Sequence, residues 1–150
     1  MNDFQKNRTA IILLDSYEGL EYRHKAAILA KYEKPGDMFD DISFAEKYIG
    51  ENLGASAANT IKRSFTFTQA EYVIGKIDKK GVRTITYFDD EYPKYILNYP
   101  LYPLVLYAIG NIDLLKAKRK FSIVGSRKTL AFALKTTEAI SRSLAENSVV

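Results

Sequence analysis

The segment Phe121–Leu134, FSIVGSRKTLAFAL, decides how the fold is interpreted. It opens on a short β-branched and aromatic run, turns at Gly125 and continues into a helical pattern. The residues of one helical face then recur at spacings of 4, 3, 3 and 4: Leu130, Leu134, Thr137, Ile140 and Leu144. A strand, a tight glycine turn and an amphipathic helix together predict the first βα unit of a doubly wound parallel sheet.

The sequence predicts two strands upstream of this unit and the start of a further strand downstream of it. Ser148–Val150 has the composition of a new strand, and a parallel sheet needs more partners than one βα unit supplies. We therefore expect the sheet domain to be incomplete in this sequence. Upstream, Val82–Phe88 and Leu104–Ala108 are predicted strands, separated by the stiff proline-containing linker Tyr99–Pro103. A helical turn is expected over Ile112–Ala117.

The first 80 residues predict five short helices. Their expected ranges are Phe4–Leu14, Leu20–Tyr32, a third helix capped by Asp37, Ala55–Phe65, and a fifth capped by Thr68 with Glu71. Gly81 is expected to end the fifth helix in the left-handed conformation. The only histidine, His24, falls on what reads as a polar helix surface. The predicted fold class is α/β, with a helical domain over residues 1–80 and the N-terminal part of a sheet domain over residues 81–150.

Composition excludes several classes of protein. Of 150 residues, 47% are apolar and 27% are charged, which is a globular composition and not a disordered one. The absence of cysteine excludes disulfides and thiolate metal sites, and one histidine excludes a histidine metal cluster or a Ser–His–Asp triad within the chain. No apolar run reaches the roughly 20 residues of a membrane helix, and no signal peptide is recognised at the N-terminus, so we expect a cytoplasmic protein without a membrane partner.

The charge is unevenly distributed along the chain. Residues 1–75 hold 9 Lys/Arg and 11 Asp/Glu, a net charge of −2, whereas residues 76–150 hold 13 and 7, a net charge of +6. Six cations and no acid lie between Lys116 and Lys128. Such a cluster suits a polyanion, and the alternative is an ordinary solvated basic face.

The turn Gly125–Arg127 is the candidate binding element. Gly125 would let a ligand approach the backbone, Ser126 offers a hydroxyl, and Arg127 has a planar guanidinium that suits phosphate. The alternative is a plain βα turn with a solvated arginine. The dinucleotide fingerprint and the Walker A pattern are both absent, so no nucleotide cofactor is expected. Asp89–Glu91 could be an acid/base or metal cluster, but a solvated turn is the preferred interpretation.

Several motifs occur in a fixed order between residues 81 and 130. Tyr92-Pro93 follows the first predicted strand, a Pro-Leu-Val-Leu-Tyr strand leads to Gly110-Asn111, and a basic linker precedes Ile123–Arg127. In this order they resemble the DNA-processing protein A family, also called Smf. The helical N-terminus resembles the small helix-rich, SAM-like domain of that family in length and pattern.

This resemblance implies a function. Members of the family bind single-stranded DNA in the cytoplasm and help to load the RecA recombinase during natural transformation, and they are not known as enzymes. Their DNA lies in a basic pocket of a Rossmann-like domain, lined by the arginine that corresponds to Arg127, with Gly125 and Ser126 expected near phosphate. Charge alone adds Lys128 and the cations Lys116, Lys118, Arg119 and Lys120. A homodimer is expected of a longer form.

The sequence also departs from the family and leaves alternatives open. Leu130 and Ala133 stand where the family usually has a serine and a glycine, which removes a hydroxyl and some backbone freedom. A Rossmann-like nucleotide phosphoribohydrolase is one alternative function, and a protein-interaction module is another. Tyr99, Tyr102 and Tyr107 are expected to pack against the sheet in preference to stacking on bases.

Overall fold

The computed structural model describes residues 1–150, which divide into two compact units, Met1–Gly110 and Asn111–Val150. The chain contains six α-helices and one sheet of two antiparallel strands, so it is α/β in broad terms. The sequence placed a domain boundary near residue 80, whereas the division here follows Gly110, because the two strands pack with the N-terminal helices.

The first unit begins with five helices. Their bounds are α1 Asp3–Asp15, α2 Tyr22–Leu29, α3 Ser43–Leu53, α4 Ala55–Ser64 and α5 Phe67–Asp78. Ala10–Leu14 on α1 are five consecutive buried residues, so this helix is apolar on every side at its C-terminal end. Ile28, Ile49 and Ile61 of the other helices belong to the same buried cluster, to which α1 contributes the longest buried run.

Two predicted helix starts are wrong. Asp37 does not cap a third α-helix, because Pro35–Phe39 forms a short 3-10 helix that buries Met38, and α3 begins later at Ser43. The cap of α5 is Thr66, whose side chain accepts the amide of Gln69 at 3.2 Å. Phe67 stacks on Phe39 with ring centroids 3.9 Å apart, which places the start of α5 before Thr68. Gly81 has a φ of +67°, as predicted.

The strands β1 Arg83–Thr86 and β2 Val105–Ala108 are antiparallel, with Arg83 opposite Ala108. Because Tyr87 donates to the Leu104 carbonyl in the same register, the backbone groups of Thr84 and Thr86 point away from β2. By the same geometry, Val105 and Tyr107 point their backbone groups away from β1, and no third strand pairs with that edge.

The outer edge of β1 is closed by an ion pair. Arg8 on α1 donates to the carbonyl oxygen of Thr84 and, at 2.9 Å, to the Thr84 hydroxyl. Its Nε lies 3.1 Å from Oδ2 of Asp89, and that same oxygen accepts the Thr86 amide at 2.6 Å and the Thr86 hydroxyl at 3.1 Å. Arg8 and Asp89 thus satisfy the groups that another strand would otherwise bind.

Two sequence expectations about polar residues are wrong. Asp89 is not part of a solvated turn, since it is buried beneath β1 by the contacts just described. His24 is not on the surface either: it packs edge-on to Tyr48, with Nδ1 3.4 Å from the Tyr48 hydroxyl, and its Nε2 has no hydrogen-bond partner. Both residues look polar in the local pattern and are covered by elements distant in sequence.

The second unit contains a 3-10 helix at Ile112–Lys116 and the long helix α6 Ala131–Glu146. The expected strand over Phe121–Val124 is wrong, because no strand forms there. However, Val150 donates to the Arg119 carbonyl at 3.0 Å and accepts from the Phe121 amide at 2.7 Å. One residue bonded to both neighbours of Lys120 is the hydrogen-bond pattern of parallel strands.

None of the helices combines the length and apolar composition needed to cross a lipid bilayer.

We expect Asp89→Ala to lower the free energy of unfolding by about 3 kcal/mol, because it removes the carboxylate that pairs with the Arg8 charge and leaves the Thr86 amide without an acceptor. Asp90→Ala is the matched control, since the adjacent Asp90 is exposed, and it should change stability by less than about 0.5 kcal/mol. Urea unfolding followed by circular dichroism measures both. Equal stability of the two variants would show that the ion pair does not hold β1.

The tyrosine cluster beside the strands predicts alkaline instability. Burial, and to a smaller extent Tyr102 and Tyr22, raises the pKa of Tyr87 above its ordinary value of 10.0. The neutral phenol is therefore favoured by folding, and its contribution to stability is complete below about pH 10 and is lost as the pH rises further. Tyr87→Phe should lose less stability between pH 9 and pH 11 than the wild type. Urea midpoints at the two pH values test this, with exposed Tyr99→Phe as the control that should follow the wild type.

Candidate nucleic-acid interface

The predicted binding residues all lie in one exposed irregular segment, Lys118–Leu130, between the 3-10 helix and α6. These residues are Lys118, Arg119, Lys120, Gly125, Ser126, Arg127 and Lys128. The turn is neither buried nor helical, so its backbone and side chains are open to a ligand. Of the seven, Ser126 and Lys128 are joined by a hydrogen bond, in which the Lys128 amide donates to the Ser126 hydroxyl at 3.2 Å.

Arg127 is the uncommitted arginine of this segment. Its guanidinium is exposed and makes no hydrogen bond or ion pair within the chain. Arg119, in contrast, donates to the carbonyl of Asn147 at 3.1 Å. Asn147 caps the C-terminal end of α6, where the helix dipole favours a cation, so Arg119 has a structural partner. The Arg127 guanidinium is therefore free to bind a polyanion, whereas the Arg119 guanidinium already has a partner within the chain.

The lysines divide in a similar way. Lys116 lies 3.9 Å from Asp113 within the same 3-10 helix. The ammonium groups of Lys118 and Lys128 are exposed and have no acidic neighbour within ion-pair distance. From Leu114 to Thr137 there are seven Lys/Arg and no Asp/Glu. This stretch therefore carries a positive potential that the second unit does not neutralise locally.

Gly125 shows no steric requirement for glycine within the chain. A Cβ at this position would meet no atom within 4 Å, and its φ is not in the left-handed region. Its predicted role, close approach of a ligand to the backbone, stays a prediction.

The start of α6 is uncapped. The N-cap is Leu130, which has an extended backbone and offers no side-chain acceptor, and the first turn contains no acid. The amides of that turn are therefore free to bind an anion. The sequence predicts that the glycine turn leads directly into this helix. In the structure the helix begins four residues after Arg127, so the turn and the helix are not directly connected.

The tyrosines of the first unit are placed unequally. Tyr102 packs edge-on to Tyr22 and Tyr87, with ring centroids 6.2 and 5.9 Å away, as expected. Tyr107 is half-exposed and donates its hydroxyl to Asp15 at 2.9 Å. Tyr99 is 65% exposed, so the expectation that it packs against the sheet is wrong.

Sequence reasoning missed a further exposed ring, Phe132 in the first turn of α6. Its signal is its position off the apolar face of that helix.

Residues 83–150 match the family model described as DNA recombination-mediator protein A. The resemblance drawn from the ordered motifs is thereby confirmed over this part of the chain, and the match points to a role in DNA recombination and processing. No curated protein and no solved structure matches the chain.

The uncapped start of α6 makes a stability prediction. Leu130→Ser supplies a hydroxyl to the free amides and should stabilise α6 by about 1 kcal/mol relative to Leu130→Ala, which removes the same exposed side chain without adding an acceptor. Thermal unfolding followed by circular dichroism at 222 nm compares the two variants. If the serine variant is no more helical and no more stable than the alanine variant, the first turn is satisfied in another way.

Proposed function

We propose, from the match of residues 83–150 to the recombination-mediator family, that this chain binds single-stranded DNA through the segment Lys118–Leu130. The observation that carries the proposal is the exposed and unpaired Arg127, within a stretch of seven cations and no acid. The affinity of proteins for single strands comes mainly from phosphate neutralisation, and a guanidinium is well suited to it.

The contacts of the segment support a graded set of roles. Arg127, Lys118 and Lys128 are free to bind phosphate, whereas Arg119 is held by the end of α6 and Lys116 by Asp113. The free amides at the start of α6 add donors without a competing side-chain cap. We assign Arg127, Lys118 and Lys128 to phosphate binding. Gly125 and Ser126 form the turn beside Arg127.

The wider role is DNA recombination and natural transformation, in which the chain would help to load RecA onto the bound strand. The family resemblance is what supports RecA as a partner and a homodimer in a longer form of the protein. The proposed activity is binding, with no catalytic step and no cofactor.

Arg127→Ala should weaken binding to a fluorescein-labelled oligothymidylate about tenfold, since a charged hydrogen bond contributes about 1.5 kcal/mol or more. It should also reduce the slope of log K against log salt by about 0.7, the value for one phosphate contact on a single strand. Fluorescence anisotropy over a range of salt concentrations measures both quantities.

The matched control is Arg142→Ala. Arg142 is an exposed arginine of α6 that pairs with Glu138 at 3.0 Å, and its removal should leave affinity and slope close to those of the wild type. Equal effects of the two substitutions would mean that binding depends on overall charge and not on the turn. No effect of Arg127→Ala would refute the assignment of that residue.

A further inference from the structure

Phe132 is the large apolar side chain of α6 that the amphipathic pattern does not explain. It is 78% exposed in the first turn of the helix. The apolar face consists of Leu130, Leu134, Thr137, Ile140 and Leu144. At 3.6 residues per turn, Phe132 projects about 140° away from the centre of that face. Packing of the apolar face against a sheet would therefore not cover the Phe132 ring.

The neighbours of Phe132 around the helix are polar. Thr136 and Ser143 share its side of α6, together with Ala139. No acid occurs between Asp113 and Glu138, and seven cations do. An exposed aromatic ring on a polar helix side, in a strongly cationic region, is the combination found where proteins hold single-stranded nucleic acid.

The spacing along the chain fits a single ligand. Phe132 is the fifth residue after Arg127, so their Cα atoms are at most about 18 Å apart. Adjacent phosphates of a single strand lie several ångströms apart along the backbone, so that distance corresponds to only a few nucleotides. A strand whose phosphates contact Arg127 can therefore present a base to Phe132 within a few nucleotides.

We propose that Phe132 is a base-stacking residue, on which one nucleobase of the strand held by Arg127 and its neighbouring lysines lies flat. This inference rests on the proposed function and adds to it that the segment recognises bases as well as phosphates. Recognition by stacking is sequence-tolerant, because every base has a π face.

The chain contains no tryptophan, so Phe132→Trp introduces a single fluorescent reporter at the proposed stacking position. Titration with oligothymidylate should quench its emission strongly. An abasic oligomer of the same length and phosphate number should compete for binding without quenching. Phe4→Trp is the control, since Phe4 is 48% exposed on α1 and should not be quenched by either oligomer.

Affinity measurements separate stacking from charge. Phe132→Ala should weaken oligothymidylate binding about tenfold, leave the affinity for the abasic oligomer unchanged and leave the salt slope unchanged. Phe132→Tyr should keep wild-type affinity. Circular dichroism at 222 nm should show the same helicity in all three proteins.

Two outcomes would overturn the inference while leaving the proposed function intact: tight oligothymidylate binding by Phe132→Trp without quenching, or wild-type affinity of Phe132→Ala. If the wild type binds neither oligomer, the proposed function fails, and the stacking role fails with it. An equal loss of affinity for both oligomers in Phe132→Ala would show that the ring only supports the fold of the segment, which also contradicts the proposal.

Discussion

The carboxylate of Asp89 holds the strands to the helices. One of its oxygens binds Arg8 from α1 and both the amide and hydroxyl of Thr86 from β1, and Arg8 extends the same contact to Thr84. A two-stranded sheet is marginal by itself in water, so its position depends on what covers it. Here the cover is the most buried helix of the chain, joined to the sheet by an ion pair whose partners lie far apart in sequence. This link places both strands in the same compact unit as the N-terminal helices.

Much of the helical part could be predicted from local pattern. The presence of five helices before residue 80 and the left-handed conformation of Gly81 are both predicted from residue types. The starts of α3 and α5 could not be read in the same way, because the stacking of Phe39 on Phe67 and the burial of Met38 are tertiary contacts. Asp89 and His24 were misjudged for a related reason: a polar residue satisfied by a distant partner looks like a surface residue in its local sequence.

The position of the candidate site in the chain could be predicted from the sequence, but the contacts of its side chains could not. Charge and the turn motif found the segment, since neither depends on packing, and the family match over residues 83–150 agrees with the motifs read there. Sequence could not distinguish a free arginine from a committed one. Arg8 binds Asp89, Arg119 binds the end of α6, Arg142 binds Glu138, and Arg127 binds none of these groups. The expected strand before the turn is absent, although Val150 bonds to both sides of Lys120. Parallel pairing depends on neighbouring strands, and a single bonded residue does not extend into a strand.

The two edges of the β1–β2 sheet are unlike. On the β1 side, side chains already occupy the outward amide of Thr86 and carbonyl of Thr84, while Val105 and Tyr107 leave theirs unpaired on the β2 side. Only one edge of the sheet therefore has unpaired backbone groups. Backbone groups that another strand would bind therefore stay unpaired beside β2, where no charged residue occurs between Tyr95 and Ile112, whereas Arg8 and Asp89 already bind those groups beside β1.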